Sequence, residues 1–182
     1  MRNTILFVVF FAAFSLYAQS PTSQGSITLN GNLSFSSQSY EDRNDNRNAL
    51  LLNPQAGYFF VDNFSVGLSL NFQYLSFGNN DATSWGIGPN LRYYFNTESI
   101  KPFVSVSYAY MQGGIFGSNY DRTGNGFTFA GGLDYFIVKN VAIETTVSYQ
   151  IENLELPGEL YSNTSKTNTT IQFAVGINFF LY

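Results

Sequence analysis

Residues 64–74 read Phe-Ser-Val-Gly-Leu-Ser-Leu-Asn-Phe-Gln-Tyr, and they alternate apolar side chains with small or polar ones at every step. Successive side chains of an extended strand point to opposite faces, so this period of two predicts a β-strand with one apolar face. A run of roughly ten such residues is long for a soluble strand and matches the length that crosses a bilayer at a tilt. This stretch therefore predicts a membrane-spanning strand.

The same alternation recurs along the chain and predicts eight strands. They cover residues 25–36, 48–60, 64–75, 84–95, 101–110, 126–137, 141–150 and 167–181. Short connections at 61–63, 96–100 and 138–140 alternate with longer ones at 37–47, 76–83, 111–125 and 151–166, which are rich in turn-forming residues. Tight turns at one end and long loops at the other predict an all-β fold, an eight-stranded antiparallel up-and-down transmembrane β-barrel.

Composition excludes several other classes of protein. Charged residues make up 11% of the 182 residues, a low share for a soluble domain, while aromatic residues make up 18%. Histidine and cysteine are both absent, which removes the commonest general base, the commonest metal ligands and any disulfide. The net charge is −4 without a basic cluster, so nucleic acid is not an expected partner. We predict no catalytic residue, no cofactor and no metal site.

The N-terminus has the pattern of an export signal. Arg2 supplies the positive charge, residues 5–14 form an apolar segment, and residues 15–18 read Ser-Leu-Tyr-Ala ahead of the expected cleavage point. The apolar segment is short for a membrane anchor, which needs about 20 residues, so a cleaved signal is favoured. We predict a signal peptide over residues 1–18 and a single barrel domain over residues 19–182.

Alternation alone does not decide which face points inward. A soluble, lipocalin-like barrel would bury the apolar face, but about forty large apolar side chains do not fit inside eight strands. The apolar face is therefore predicted to meet lipid, and the face of Ser, Thr, Asn, Gln and Gly to fill the lumen. Aromatic residues gather near both ends of the predicted strands, as the interface belts of a membrane barrel do.

Several stretches resemble the small outer-membrane β-barrel family, which includes OmpX, OmpW and the barrel domain of OmpA. They are residues 57–67, Gly-Tyr-Phe-Phe-Val-Asp-Asn-Phe-Ser-Val-Gly, and residues 86–95, Gly-Ile-Gly-Pro-Asn-Leu-Arg-Tyr-Tyr-Phe. Residues 176–181, Gly-Ile-Asn-Phe-Phe-Leu, resemble the terminal-strand signal that the outer-membrane assembly machinery reads, although Tyr182 lies one place past the alternating set. The resemblance covers the whole mature chain and implies a monomer in the bacterial outer membrane, with lipid and that machinery as partners.

The predicted lumen contains a small group of charged residues, Arg92, Asp134 and Glu144. The hairpin centred on Lys139 places Asp134 opposite Glu144, because paired residues lie equally far from the turn. Two facing carboxylates repel each other unless a cation lies between them, and Arg92 is the expected cation. We predict a structural charge cluster, and an ionic gate is the alternative.

Two prolines interrupt predicted strands, where a proline removes a ladder hydrogen bond. Equal counting from the turns places Pro54 and Pro89 level with Leu70, one on each side of the third strand. This arrangement predicts a bulge or a weak seam beside that strand.

Three functions remain open at this stage. The family resemblance spans stabilisation, adhesion, defence and small-molecule passage, so it is informative about architecture and weak about function. A non-catalytic structural or surface-interaction barrel, with its long loops at the cell surface, is the favoured hypothesis. The alternatives are an OmpW-like conduit or binder for small hydrophobic molecules, and a soluble lipocalin-like binder. The conduit needs an apolar pocket, and most inward residues are polar; the exceptions are Leu51, Phe59, Phe103 and Phe136.

Overall fold

The structure is a computed structural model that describes residues 20–39, 46–78, 80–97, 100–114, 121–155 and 165–182. The strands are β1 (Ile27–Ser39), β2 (Asn46–Val61), β3 (Phe64–Phe77), β4 (Asn80–Tyr94), β5 (Ile100–Gly114), β6 (Asp121–Val138), β7 (Val141–Glu155) and β8 (Ser165–Leu181). Each strand pairs antiparallel with the next, and β8 pairs with β1, which closes the barrel. The prediction of an eight-stranded antiparallel barrel is confirmed.

The two ends of the barrel differ. The short connections after β2, β4 and β6 lie at one end, together with residues 20–26 and Tyr182, and we call it the short-turn end. The connections after the odd-numbered strands lie at the other end, the long-loop end. The predicted signal peptide falls outside the described residues and stays a prediction. Within the described ranges, no helix is long and apolar enough to span a membrane.

The apolar face of the sheet points outward and the polar face points into the lumen. On β3, Leu68 is 58% exposed whereas its neighbour Ser69 is 2% exposed. Aromatic side chains form an exposed girdle near each end of the barrel. At the short-turn end they are Tyr58, Phe60, Tyr93, Phe95, Tyr135 and Phe179. Towards the long-loop end they are Phe72, Tyr74, Trp85, Tyr108, Tyr110, Phe127 and Tyr149, and we call this second set the outer girdle. An exposed apolar band between two aromatic girdles is the surface that a lipid bilayer requires.

The strands extend further towards the long-loop end than the sequence predicts. The predicted long connection at 76–83 is wrong, because β3 continues to Phe77 and β4 begins at Asn80, with Gly78 in the turn at a φ of 57°. Here the ladder continues past the outer girdle, where the outward-facing Asp81 and Thr83 are polar and the inward-facing Leu75 and Ala82 are apolar. The apolar side chains therefore leave the outer face although the strand continues, so the outward pattern ends and the sequence predicts a loop.

The two prolines interrupt different ladders. The β2–β3 pairing passes from Leu52–Phe72 to Gln55–Ser69, so Pro54 lies in a gap beside β3. The second gap lies on the far side of β4, because the β4–β5 pairing skips Pro89 and its neighbour Gly88. Pro89 is opposite Leu68 and not Leu70, because the turn between β3 and β4 is centred one residue earlier than predicted. The predicted weak seam on both sides of β3 is therefore wrong for Pro89.

A charge introduced on the outer face should destabilise the barrel far more than one introduced on the inner face. Leu70→Arg places a guanidinium in the middle of the apolar band and should cost about 2–4 kcal/mol of unfolding free energy. The neighbouring change Asn71→Arg faces the polar cavity of the lumen and should cost much less. Urea titration in lipid vesicles, followed through the single tryptophan, Trp85, measures both. Equal losses for the two variants would contradict the assignment of the faces.

Candidate functional site

The charged residues predicted for the lumen lie together inside the barrel. Arg92 projects from β4, Asp134 from β6 and Glu144 from β7, and all three are buried. Asp134 and Glu144 are directly opposite each other in the ladder, as the register of their hairpin predicts. The short β6–β7 turn fixes this pairing, because an antiparallel hairpin with a tight turn has one register.

Arg92 and Glu144 form a buried ion pair. Arg92 Nη1 lies 2.6 Å from Glu144 Oε2, and Nη2 lies 3.4 Å from Oε1, so the guanidinium approaches both carboxylate oxygens. Arg92 also donates to the Tyr94 hydroxyl at 3.1 Å and to Gln55 Oε1 at 3.2 Å. Its guanidinium carbon lies 4.1 Å from the centre of the Phe103 ring. Fork-like pairing, added hydrogen bonds and a cation–π contact compensate for the loss of water around the charge.

Asparagines of β1 complete the surroundings of Glu144. Asn30 Nδ2 donates to Glu144 Oε2 at 3.0 Å, and Asn32 Nδ2 donates to Oε1 at 2.9 Å. Thr146 Oγ1 donates to Oε1 at 3.0 Å. Asn32 packs over Gly176 of β8, where a Cβ atom would collide with its Oδ1 atom. Neutral donors therefore hold the Glu144 carboxylate together with Arg92. The sequence does not single out these donors, because asparagine is common in any polar lumen.

Asp134 does not form the ion pair with Arg92 that the sequence predicts. Its Oδ2 atom accepts a hydrogen bond of 2.9 Å from Asn178 Nδ2, and Arg92 forms its salt bridge with Glu144 alone among the described residues. Asn178 Nδ2 also lies 3.1 Å from the Tyr94 hydroxyl and 3.5 Å from Glu144 Oε2. An amide of β8, rather than the guanidinium, therefore lies between the two carboxylates. Lys101, which is also buried, is opposite Asp134 in the β5–β6 ladder.

A cluster of aromatic side chains fills the lumen at the short-turn end. We call it the aromatic plug; its members are Phe59, Tyr94, Phe103, Phe136, Phe180 and Tyr182. Phe59, Tyr94, Phe103 and Phe180 are at most 2% exposed. The Phe103 ring lies against Gly132, where a Cβ atom would come within 2.6 Å of its Cζ atom. These rings leave no apolar pocket at the positions of Phe59, Phe103 and Phe136, which the sequence offered for one.

Residues 20–26 and Tyr182 contact the turns at the short-turn end of the barrel. Thr22 Oγ1 donates to Asn63 Oδ1, and Asn63 N donates to Thr22 O, both at 2.7 Å. Gln24 N donates to Asp62 Oδ1 at 2.8 Å, so the segment before β1 is fastened to the β2–β3 turn. Tyr182 donates its hydroxyl to Lys139 O at 3.1 Å in the β6–β7 turn. The terminal tyrosine, which breaks the outward alternation, therefore has a place in the plug.

Beyond the ion pair, the lumen widens into a polar cavity of about 90 Å³. Arg92 lies at its floor, and Arg122 and Glu152 line it nearer the long-loop end. Most of the remaining wall consists of Asn, Gln, Ser and Thr side chains. A space of this size and polarity has room for several water molecules. Within the described residues, the lumen is thus polar towards the long-loop end and filled by aromatic rings at the short-turn end.

The chain matches the family model described as "Outer membrane protein beta-barrel domain" over residues 6–179. It belongs to that family. The family and the apolar outer face together make this protein an outer-membrane β-barrel, as the resemblance of its sequence implied.

Solved structures of outer-membrane barrels have the same fold. Neisserial surface protein A is 17% identical, with a TM-score of 0.58 over 85% of this chain and 94% of that chain. OprG from Pseudomonas aeruginosa is 15% identical, with a TM-score of 0.57 over 90% of this chain and 100% of that chain. The N-terminal β-barrel domain of Pseudomonas aeruginosa OprF is 15% identical, with a TM-score of 0.57 over 87% and 98%. No curated protein matches the sequence.

Breaking the buried ion pair on one side should destabilise this outer-membrane barrel. Arg92→Met leaves Glu144 buried without its cation and should cost about 3–5 kcal/mol of unfolding free energy. Combining Arg92→Met with Glu144→Gln removes both charges and should restore most of that loss. Urea unfolding in lipid vesicles measures the double variant and both single variants. A double-mutant coupling energy below about 0.5 kcal/mol would show that the two residues act independently.

Proposed function

We propose that this protein is a non-catalytic outer-membrane barrel with a closed lumen, which presents its long loops at the cell surface in a structural or surface-interaction role. The observation that carries the proposal is the closure of the short-turn end. The aromatic plug and the Arg92–Glu144 pair lie next to each other along the lumen. A solute would have to displace both to cross.

The charge cluster supports a structural role better than a catalytic one. The hydroxyl beside Glu144 belongs to Thr146, which is the arrangement of a nucleophile and a base. However, the Glu144 carboxylate is already occupied by Arg92, Asn30 and Asn32. A carboxylate stabilised in this way by a guanidinium and two amides is a poor proton acceptor. Arg92, Asp134 and Glu144 therefore serve in this proposal to fix the strands around the lumen.

The direction of the barrel follows from its strand count. An even number of strands places both termini and the short turns on the same side, and an exported chain inserts with its termini in the periplasm. The wall also continues beyond the outer girdle as a sheet with exposed polar residues. These include Asp81, Thr83, Asn153, Glu155, Thr167 and Thr169. Such a polar extension suits a rim that stands outside the membrane and carries loops.

A conduit for small hydrophobic molecules receives less support. Phe72 and Trp85 border the polar cavity with their side chains on the outer face, and its larger inward-facing apolar side chains are Leu51, Met111 and Leu154, from three separate strands. Its wall is otherwise mostly amides and hydroxyls. A hydrophobic solute entering it would strip water from these groups without replacing their hydrogen bonds. The similarity to OprG concerns the fold alone.

Tags in the connections should be accessible from opposite sides of the membrane. A protease site inserted at Gly117 or Asn163, in two of the long connections, should be cleaved on intact cells. The same site inserted at Asn140, in the β6–β7 turn, should be cleaved only after lysis. The reverse pattern would overturn the proposed orientation.

The closed lumen can be tested by conductance. The refolded barrel should show no stepwise ion channels in planar bilayers, because the aromatic plug fills the lumen at the short-turn end. The fraction of folded protein is checked by its heat-dependent migration on a gel. Stable channels in the unmodified protein would contradict a closed lumen. Channels that appear only in Arg92→Ala, with unfolding free energy unchanged, would favour the ionic gate.

A further inference from the structure

The outer wall of the barrel has a depression on its lipid-facing side. It spans β6, β7, β8 and β1, is open on its lipid-facing side and has a volume of about 500 Å³. Its outward-facing lining includes Leu33, Gly131, Leu133, Thr145, Phe173 and Val175. Gly131 and Thr145 are small residues among Leu, Val and Phe side chains, so the wall is locally hollow. We call this depression the outer groove.

The outer groove lies at the depth of the bilayer interior. On β6, Gly131 falls between Tyr135 of one aromatic girdle and Phe127 of the other. Phe173 and Val175 of β8 are 72% and 59% exposed, so hydrocarbon is the surrounding medium. Since an acyl chain is the flexible apolar group available at this depth, it is the natural occupant of the outer groove.

The groove borders the weakest seam of the barrel. The ladder between β1 and β8 runs from Ile27–Leu181 to Leu33–Val175 and does not continue beyond that pair in the described residues. On the long-loop side of the Leu33–Val175 pair, the Ser34 hydroxyl donates a hydrogen bond to the Phe173 carbonyl at 3.3 Å. This side-chain bond takes the place of a ladder bond. Backbone groups without ladder partners are costly in hydrocarbon, so this part of the seam favours a neighbour that carries hydrogen-bonding atoms.

We propose that the outer groove and the adjoining open part of the β1–β8 seam bind one membrane lipid. An acyl chain lies over Gly131 and Thr145, and the ester oxygens accept hydrogen bonds from backbone N–H groups along the part of the seam where the described residues of β1 and β8 do not pair with each other. A lipid meets both requirements because its chain is apolar and its ester region lies at the level of the interfacial aromatic residues. In a bilayer the gain comes from close packing and hydrogen bonding, because hydrocarbon is already the solvent.

A phospholipid with a photoactivatable diazirine in its acyl chain tests the proposal in proteoliposomes. Peptide mapping after illumination should show severalfold more label on Thr145, Val147 and Phe173 than on Leu68 and Leu70. The latter two residues of β3 are 58% and 48% exposed in the middle of the apolar band, against 47% for Val147, and serve as the reference. Uniform labelling around the barrel would overturn the proposal. Barrel-to-barrel crosslinks through the groove would also overturn it, because they would identify a second copy as the occupant.

Filling the outer groove should abolish the preferential labelling of the residues that line it. Gly131→Leu places a side chain over the hollow, and its Cβ atom meets no heavy atom closer than 3.7 Å. The control Gly31→Leu makes the same change at a lipid-facing glycine outside the groove, where a Cβ meets nothing within 4 Å. Labelling of Phe173 should fall to the β3 level in Gly131→Leu and stay unchanged in Gly31→Leu. Thr145→Leu fills the same hollow if Gly131→Leu does not fold. Undiminished labelling in a folded groove-filling variant, or an equal fall in the control, would contradict the site.

Discussion

The structure depends on one constraint, which is that backbone amides and carbonyls must be paired wherever lipid surrounds the chain. Eight strands satisfy it by pairing each with the next and by joining β8 to β1. Closure in turn divides every strand into a lipid face and a lumen face. Ladder pairing is interrupted at Pro54 and Pro89 and is short between β1 and β8. At these places the wall is therefore least constrained.

Closure around a narrow lumen also explains the composition of the interior. At the short-turn end the lumen is filled by side chains, so most polar groups there form hydrogen bonds with one another. Arg92, Glu144 and Asn178 share their hydrogen bonds with β1, β2 and β4, and so connect strands that are not neighbours in the ladder. The network acts across the barrel, whereas the backbone ladder acts around it. The two together resist deformation of the circular cross-section.

The sequence predicted what a period of two and a tight turn determine, and little more. The outward Leu68 and the opposition of Asp134 and Glu144 follow directly from alternation and from equal counting. Prediction fails at 76–83 because the signal is an apolar outer face, and the outer face becomes polar where the lipid ends. The role of Asn178 could not be found either, since its partners lie on strands far apart in the chain and their approach depends on closure.

The two halves of the lumen differ in how their polar side chains are hydrogen-bonded. At the short-turn end, Phe180 and Tyr182 bring apolar rings into the lumen, so the charges next to them lose contact with water and must pair with each other. At the long-loop end, Arg122 and Glu152 line a space that holds water, and the wall around them needs less precise pairing. The β1–β8 ladder is complete only beside the filled half. The filled half therefore anchors a polar half, and the connections beyond that half are where a barrel of this kind has room for a specific function.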